Sequence, residues 1–145
     1  MSTRAIIAYT ADDGSWKGVW NLWGGHTQHL GRVLIRRVAK AKGDFAVVVA
    51  EAIEGCPEGW SSFEKLERNE DSMGFLTGKF DSVIATADGE KGSVVFDSHY
   101  LYLFHAPKRR LYVFQIAQGP MRPFGMVTFD EVGKAKPTKL PAVEE

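Results

Sequence analysis

Residues able to bind a charged ligand are concentrated in one short part of the sequence, residues 16–42. This part combines three tryptophans, a Gly24-Gly25 pair and a helix-patterned stretch of five cations without an acid. The tryptophans are Trp16, Trp20 and Trp23, and the cations are Arg32, Arg36, Arg37, Lys40 and Lys42. Tryptophan faces stack on nucleobases, and cations bind phosphates together with the backbone N–H groups at a helix start. The segment therefore predicts a site for a small anionic, nucleotide-derived ligand.

We assign the predicted ligand site to seven residues: Trp20, Trp23, His26, His29, Arg32, Arg36 and Arg109. Arg109 belongs to the Lys108-Arg109-Arg110 run at a predicted hairpin tip and is a second contact for an anion. The alternative is that the tryptophans belong to the core and that the arginines only keep a helix soluble.

The four histidines do not form a metal-binding pattern. His26 and His29 are three residues apart, and His99 and His105 are six residues apart, so the two pairs could converge on Zn²⁺. Neither pair has a carboxylate or a cysteine at a known metal-ligand spacing. We therefore expect neither a metal nor any other cofactor.

The sequence favours a binding protein over an enzyme. No spacing suggests paired carboxylates for acid–base chemistry, and the single cysteine, Cys56, has no adjacent base. One enzymatic alternative stays open. Removal of Met1 exposes Ser2, whose hydroxyl and free amine are the groups that a hydrolase with an N-terminal nucleophile uses.

Charge is segregated along the chain although the net charge is zero. A neutral total is unlike both a bulk nucleic-acid binder, which is basic, and a DNA mimic, which is acidic. The basic run between His29 and Gly43 carries a charge of +5, and the following acidic block, residues 44–72, carries −6. We expect the two blocks to neutralise each other in part, so the basic helix is open to a ligand only where the acidic block leaves it unpaired.

Two hairpins and several further strands are predicted to position these residues. The hairpins join residues 4–10 to 16–22 around Asp13-Gly14, and residues 100–105 to 111–116 around a proline-containing turn. In the second hairpin one face carries Tyr100, Tyr102 and Phe104, and the other carries Leu101 and Leu103. The remaining predictions are strands at residues 80–86, 93–97 and 126–129, with turns at 87–90 and 119–123.

Helical patterns follow the Gly24-Gly25 pair and Gly43. The first helix is predicted to begin at a Thr27 cap and to end at Gly43. Its apolar stripe consists of Leu30, Val33, Leu34 and Val38, and its polar face of His29, Arg32, Arg36 and Lys40. Asp44 can cap a second helix over residues 45–54, where the Val47-Val48-Val49 run leaves a buried strand as an alternative. Residues 58–78 predict a loop or a short helix anchored by Trp60, Phe63 and Leu66.

This order of elements predicts an α+β fold: a mostly antiparallel sheet with one or two helices packed on one face. The chain of 145 residues suits a single domain over residues 1–132, followed by a disordered tail over residues 133–145. The longest apolar run, residues 45–50, is too short to cross a bilayer. A lone cysteine and the lack of a signal peptide predict a cytoplasmic protein.

The start of the chain, Met1-Ser2-Thr3-Arg4, and the stretch from Trp20 to Val38 resemble small, mostly uncharacterised proteins of bacteriophages and mobile elements. Those proteins begin with the same residues and carry a tryptophan, an Asp-Gly-Tyr-Pro-like turn and a glycine that opens a helix. The residues that match are Trp23, Gly25 and Gly31, and those that depart are Gly24, His26 and Thr27. The aromatic hairpin at residues 100–116 is also similar to the C-terminal strands of that group.

The resemblance implies a phage or prophage accessory protein, and it brings no catalytic residues. Our leading hypothesis from the sequence is that the protein binds and sequesters a partner in the host cytoplasm and thereby acts against a defence system. Two kinds of partner stay open. A nucleotide-derived signal would need a deep pocket, whereas a host protein would dock on an exposed patch of interface size. Neither bulk nucleic acid nor a membrane is an expected partner, and the aromatic hairpin leaves a homo-oligomer possible.

Overall fold

The computed structural model describes residues 3–10, 15–70, 74–79, 99–116 and 121–138. Within these ranges nine strands form one sheet, and two short helices pack on one face of it. The strands are β1 (Ala5–Thr10), β2 (Ser15–Asn21), β3 (Trp60–Ser62), β4 (Glu67–Arg68), β5 (Leu76–Lys79), β6 (Tyr100–His105), β7 (Arg110–Ile116), β8 (Met121–Phe129) and β9 (Ala135–Thr138).

The sheet is mixed, with β1 at its centre. The strand order is β4-β3-β2-β1-β6-β7-β8-β9, and β5 pairs with β2. Strand β1 runs parallel to β6, and β2 makes a short parallel contact with β3. The other pairs within the described residues are antiparallel, which confirms the predicted α+β fold with a mostly antiparallel sheet.

The strand pairs of both predicted hairpins are present. Strands β1 and β2 pair from Ala5 opposite Asn21 to Thr10 opposite Trp16. Strands β6 and β7 pair around a 3₁₀ turn at Ala106–Lys108. The turn at residues 11–14, the strands predicted at 80–86 and 93–97 and the turn predicted at 87–90 lie outside the described residues.

The basic segment is helical, as predicted, but its cap differs from the prediction. A π-helical turn at Thr27–Gly31 leads directly into α1 (Arg32–Lys40). The cap is His26 rather than Thr27, because His26 is the last residue with an extended backbone and its Nδ1 accepts the Gln28 N–H at 3.2 Å. The predicted apolar stripe is buried: Leu30, Val33, Leu34 and Val38.

Residues 45–54 form a helix rather than a strand. Helix α2 (Phe45–Val49) begins after Asp44, whose carboxylate accepts the Ala46 N–H at 3.0 Å. It continues as a π-helical turn at Ala50–Glu54. Val48 is buried and Val47 is exposed, so the β-prone valines follow the amphipathic pattern of a helix.

Strands occupy segments that the sequence predicted as irregular. Residues 58–79 contain β3, β4 and β5, and residues 121–123 belong to the nine-residue β8. Strand β9 lies within residues 133–145, the segment predicted as a tail. Strands β3, β4, β5 and β9 are two to four residues long, and each is paired with a neighbouring strand. Strands this short are stabilised by the strands they pair with rather than by their own residues, so their sequences show no clear alternation of apolar and polar residues.

Both faces of the central strands β1 and β6 are buried. The helices cover the face that carries Ile7, Tyr102 and Phe104, while Ile6 and Leu101 lie in a second core on the opposite face. This division confirms the predicted alternation along the second hairpin. Nowhere in the described ranges is a helix long and apolar enough to span a membrane.

Candidate functional site

The tryptophans of the predicted site lie in different environments. Trp16 and Trp20 are 1% and 6% exposed and pack in the core opposite the helices, because residues four apart on β2 share a face. Trp23 lies beyond the end of β2, and 57% of its surface is exposed. Of these three indoles, Trp23 is therefore the one available to a partner.

The backbone of Trp23 is fixed although its side chain is exposed. Its N–H donates to the Ser61 carbonyl at 2.8 Å, and its carbonyl accepts from Asn21 Nδ2 at 2.8 Å. Asn21 is 1% exposed, and its Oδ1 accepts the Phe63 N–H at 2.8 Å. This buried amide joins the loop after β2 to the end of β3, so the indole is presented from a preorganised backbone.

An open groove of about 480 Å³ lies between Trp23 and the β3–β4 segment. Its lining consists of Trp23, Gly24, His29, Ser61, Ser62, Glu64, Lys65 and Glu67. The Nδ1 atom of His29 lies 3.9 Å from the Glu64 carboxylate. An aromatic face beside two carboxylates suits a cation better than a phosphate. We call this site the Trp23 groove.

His26 has a structural task at the start of the helix. Besides capping Gln28, its ring packs edge-on against Tyr100, with the ring centroids 5.8 Å apart. Close by, the Tyr102 hydroxyl donates to the Gly25 carbonyl at 2.7 Å. Burial raises the pKa of Tyr102, so its hydroxyl keeps the proton that it donates. These contacts join the start of the helix to β6.

Three cations spaced four residues apart form the basic face of α1: Arg32, Arg36 and Lys40. All three are exposed, and none has an ion-pair partner in the part of the chain that the structure describes. The acidic block makes its ion pairs elsewhere. These pairs are Lys17–Glu54 at 3.2 Å, Arg37–Glu51 at 2.6 Å and Arg68–Glu58 at 2.9 Å, with Glu64 beside His29.

A second open groove, of about 510 Å³, borders the basic face between α1 and α2. Its lining consists of Arg37, Lys40, Ala41, Val47 and Glu51. Val47 is 52% exposed and adds an apolar side chain next to Lys40. Arg37 is held by Glu51 and by the Phe63 ring, whose centroid lies 5.2 Å from the guanidinium carbon.

The seven predicted site residues do not form one cluster. Trp23 and His29 share the Trp23 groove, and Arg32 and Arg36 follow on successive turns of α1. Trp20 is in the core, and His26 caps the helix. Arg109 lies at the β6–β7 tip, where it has a φ of 51° and its carbonyl accepts the Phe129 N–H at 2.9 Å.

The groove residues Glu64, Glu67 and Ser61 and the buried Asn21 were not among the predicted site residues. The only sequence signal for them was the acidic block, because β3 and β4 are too short to show a periodicity. Their meeting with Trp23 depends on the pairing of Asn21 with Trp60 between β2 and β3, which brings together residues about 40 positions apart.

The remaining candidates for chemistry are a metal site, the Cys56 thiol and Ser2. The described residues contain no group of three or more histidines, cysteines or acids able to hold a metal ion. Burial raises the pKa of the Cys56 thiol, which donates to the Gly59 carbonyl at 3.1 Å. Ser2 lies outside the described ranges, so its role as a nucleophile stays a hypothesis.

Comparison of the chain with protein-family models, with curated proteins and with solved structures finds no match.

Proposed function

We propose that this protein is a non-enzymatic binding protein that docks on an acidic surface of a partner protein through the basic face of α1, with Trp23 as an apolar anchor. The observation that carries the proposal is the unpaired state of Arg32, Arg36 and Lys40 among the described residues. The neighbouring Arg37, by contrast, has a partner, since its guanidinium pairs with Glu51 at 2.6 Å.

The row of like charges disfavours the helix that carries it. Arg32 and Arg36, and likewise Arg36 and Lys40, are four residues apart, and each such like-charge pair costs an isolated helix about 0.2–0.5 kcal/mol. An acidic partner would turn this repulsion into attraction. Arginine and tryptophan are also the residues most enriched among those that dominate binding energy at protein interfaces.

The small-ligand hypothesis uses the same arginines and stays a second candidate. The outward side of a helix and two open grooves suit a broad protein surface better than a small molecule, which needs an enclosing pocket. The phage setting suggested by the resemblance stays a prediction. In that setting the partner would be a host protein, for example a component of a defence system.

The proposal is tested by comparing the proteins retained from a nuclease-treated bacterial extract by the wild-type chain and by an Arg32→Glu/Arg36→Glu variant. We expect a specific partner to be retained by the wild type and lost from this variant. Lys108→Glu, with the same charge change per residue at an exposed position of the β6–β7 tip, should retain it. Equal retention by both variants would contradict the proposal.

Two further measurements separate the other candidates. Tight binding of duplex DNA at physiological salt, lost in Arg32→Glu/Arg36→Glu, would replace the protein partner by nucleic acid. A thermal shift with a cyclic nucleotide or an ADP-ribose derivative that disappears in Arg32→Ala/Arg36→Ala would favour the small anionic ligand. Bound ligand at a hundred times its Kd stabilises a protein by about 2.7 kcal/mol, which such a measurement resolves.

A further inference from the structure

Three cations among the described residues each contact both an aromatic ring and a carboxylate. Lys17 lies 4.1 Å from the centroid of the Phe75 ring and 3.2 Å from the Glu54 carboxylate. For Arg37 the distances are 5.2 Å to the Phe63 ring and 2.6 Å to Glu51. For Arg68 they are 5.5 Å to the Trp60 ring and 2.9 Å to Glu58. Each ring attracts its cation through the negative face of the π system, and each carboxylate adds a charge contact.

The Trp23 groove contains the same aromatic and acidic components. The Trp23 indole is the aromatic face, and Glu64 and Glu67 supply the carboxylates. Lys65 lines the same groove, yet it makes no ion pair or ring contact within the described ranges. His29 is the closest basic group to Glu64, at 3.9 Å, which is too long for a hydrogen bond. Among the described residues, no lysine or arginine contacts both the Trp23 ring and one of these carboxylates.

We propose that the Trp23 groove binds a lysine or arginine side chain of the partner, with its charged group over the indole and against Glu64 and Glu67. Tryptophan is the strongest of the aromatic residues for this contact, and carboxylates favour the same charge. A groove of about 480 Å³ accommodates one such side chain. The choice of the partner as donor depends on the proposed function, whereas the affinity of the groove for a cation does not.

The site gives the proposed interface a charge pattern. His29 belongs to the groove and lies one helical turn before Arg32, so an acidic receptor site and the basic face adjoin. A matching partner surface would carry an acidic stripe next to one basic side chain. Such a pattern sets the orientation of binding and rejects surfaces that are uniformly acidic.

The groove is tested with N-acetyl-arginine N-methylamide as the probe and the neutral citrulline analogue as its control. The readout is the indole N–H signal of Trp23 in NMR spectra, assigned by its loss in Trp23→Phe. Trp16, Trp20 and Trp60 are buried, so their signals serve as internal references. We expect a saturable shift with the arginine compound and a response at least tenfold weaker with the citrulline compound. Equal responses would overturn recognition of a cation.

Glutamine variants test whether Glu64 and Glu67 bind the cation. Glu64→Gln and Glu67→Gln together should weaken binding of the arginine compound at least fivefold. Glu70→Gln makes the same charge change per residue at an exposed position outside the groove lining and should leave binding unchanged. An undiminished affinity in Glu64→Gln/Glu67→Gln would overturn the site. Tighter binding of free agmatine than of the arginine compound would instead assign the groove to small amines and remove the partner side chain as its ligand.

These outcomes are independent of the test of the basic face. A chain that retains its partner through Arg32 and Arg36 but fails to bind the arginine compound would refute the groove alone. A chain that binds the compound but retains no partner would refute the proposed function and leave the cation site standing.

Discussion

At the scale of single residues, two side chains hold the site and its support in place. The Asn21 side-chain amide donates to the Trp23 carbonyl and accepts the Phe63 N–H, so it joins the two backbone segments beside the Trp23 groove. At the other end of β1, the Tyr9 hydroxyl donates to the Glu54 carboxylate, and Lys17 lies 3.2 Å from the same carboxylate. Both arrangements connect segments that are distant in sequence, so each is a place where one substitution should have a measurable effect.

Replacing Asn21 by alanine should destabilise the fold by about 2–4 kcal/mol, because it leaves the Trp23 carbonyl and the Phe63 N–H without their partner. Urea denaturation measures the difference. Asn69→Ala is the matched control, since its buried Nδ2 has no hydrogen-bond partner within the described residues, and it should cost much less. Similar losses in the two variants would show that Asn21 does not clamp the groove.

The Tyr9–Glu54 hydrogen bond should be visible in the titration of both groups. It is the main reason that the pKa of Tyr9 is raised from 10.0 to about 12 and that the pKa of Glu54 is lowered from 4.5. The Tyr9 contribution to stability is full below pH 10 and is lost as pH rises through about 12. The Glu54 contribution is present above pH 4.5 and is lost as pH falls through the lowered pKa.

Glu54→Gln should therefore return the pKa of Tyr9 towards 10.0, since a neutral amide no longer opposes the phenolate. The measurement is a ¹³C NMR titration of labelled tyrosines, with Tyr9→Phe assigning the signal. Glu51→Gln, one turn earlier on the same helical segment, should leave Tyr9 unchanged because Glu51 pairs with Arg37. An unaltered Tyr9 titration in Glu54→Gln would argue against this bond in solution.

At the scale of elements, the sequence correctly predicted the helices and strands that show a clear pattern of apolar residues. The stripe from Leu30 to Val38 identified the first helix, and the alternation along residues 100–105 identified a strand with two different faces. The helix cap and the short strands were missed because they depend on neighbours. His26 caps the helix because its backbone is extended, with a φ of −66° and a ψ of 152°. Strand β9 forms through its pairing with β8.

Helix α1 itself offers a test of whether its charges serve binding or stability. Arg36→Glu should replace two like-charge neighbours by two favourable pairs, with Arg32 and with Lys40, and stabilise the fold by about 1 kcal/mol. Arg36→Gln, which only removes repulsion, should gain about half as much. Thermal or urea denaturation gives the order of the three chains. A loss of stability in both variants would mean that Arg36 contributes to the fold rather than to a partner.

At the scale of the whole molecule, the net charge is zero, but the charged residues have different roles. Three members of the acidic block are paired with cations of the chain itself, and two line the Trp23 groove. The sequence showed that the two blocks exist but not which charges meet, because pairs such as Lys17–Glu54 form only after distant segments pack. The availability of the basic face thus became apparent only from the folded chain.

Because the basic face is unpaired within the described residues while the net charge is zero, we can predict how salt affects association with the partner. A neutral molecule has little long-range attraction of its own, so the association rate should depend on the local field of the basic face. Between 50 and 500 mM salt, where screening shortens from beyond 10 Å to a few ångströms, we expect the rate constant to fall about tenfold. Stopped-flow mixing with the retained partner measures it. Arg32→Gln/Arg36→Gln should show a much flatter dependence, whereas Lys108→Gln at the β6–β7 tip should keep that of the wild type. A salt response that is unchanged in Arg32→Gln/Arg36→Gln would place the acidic partner on another surface.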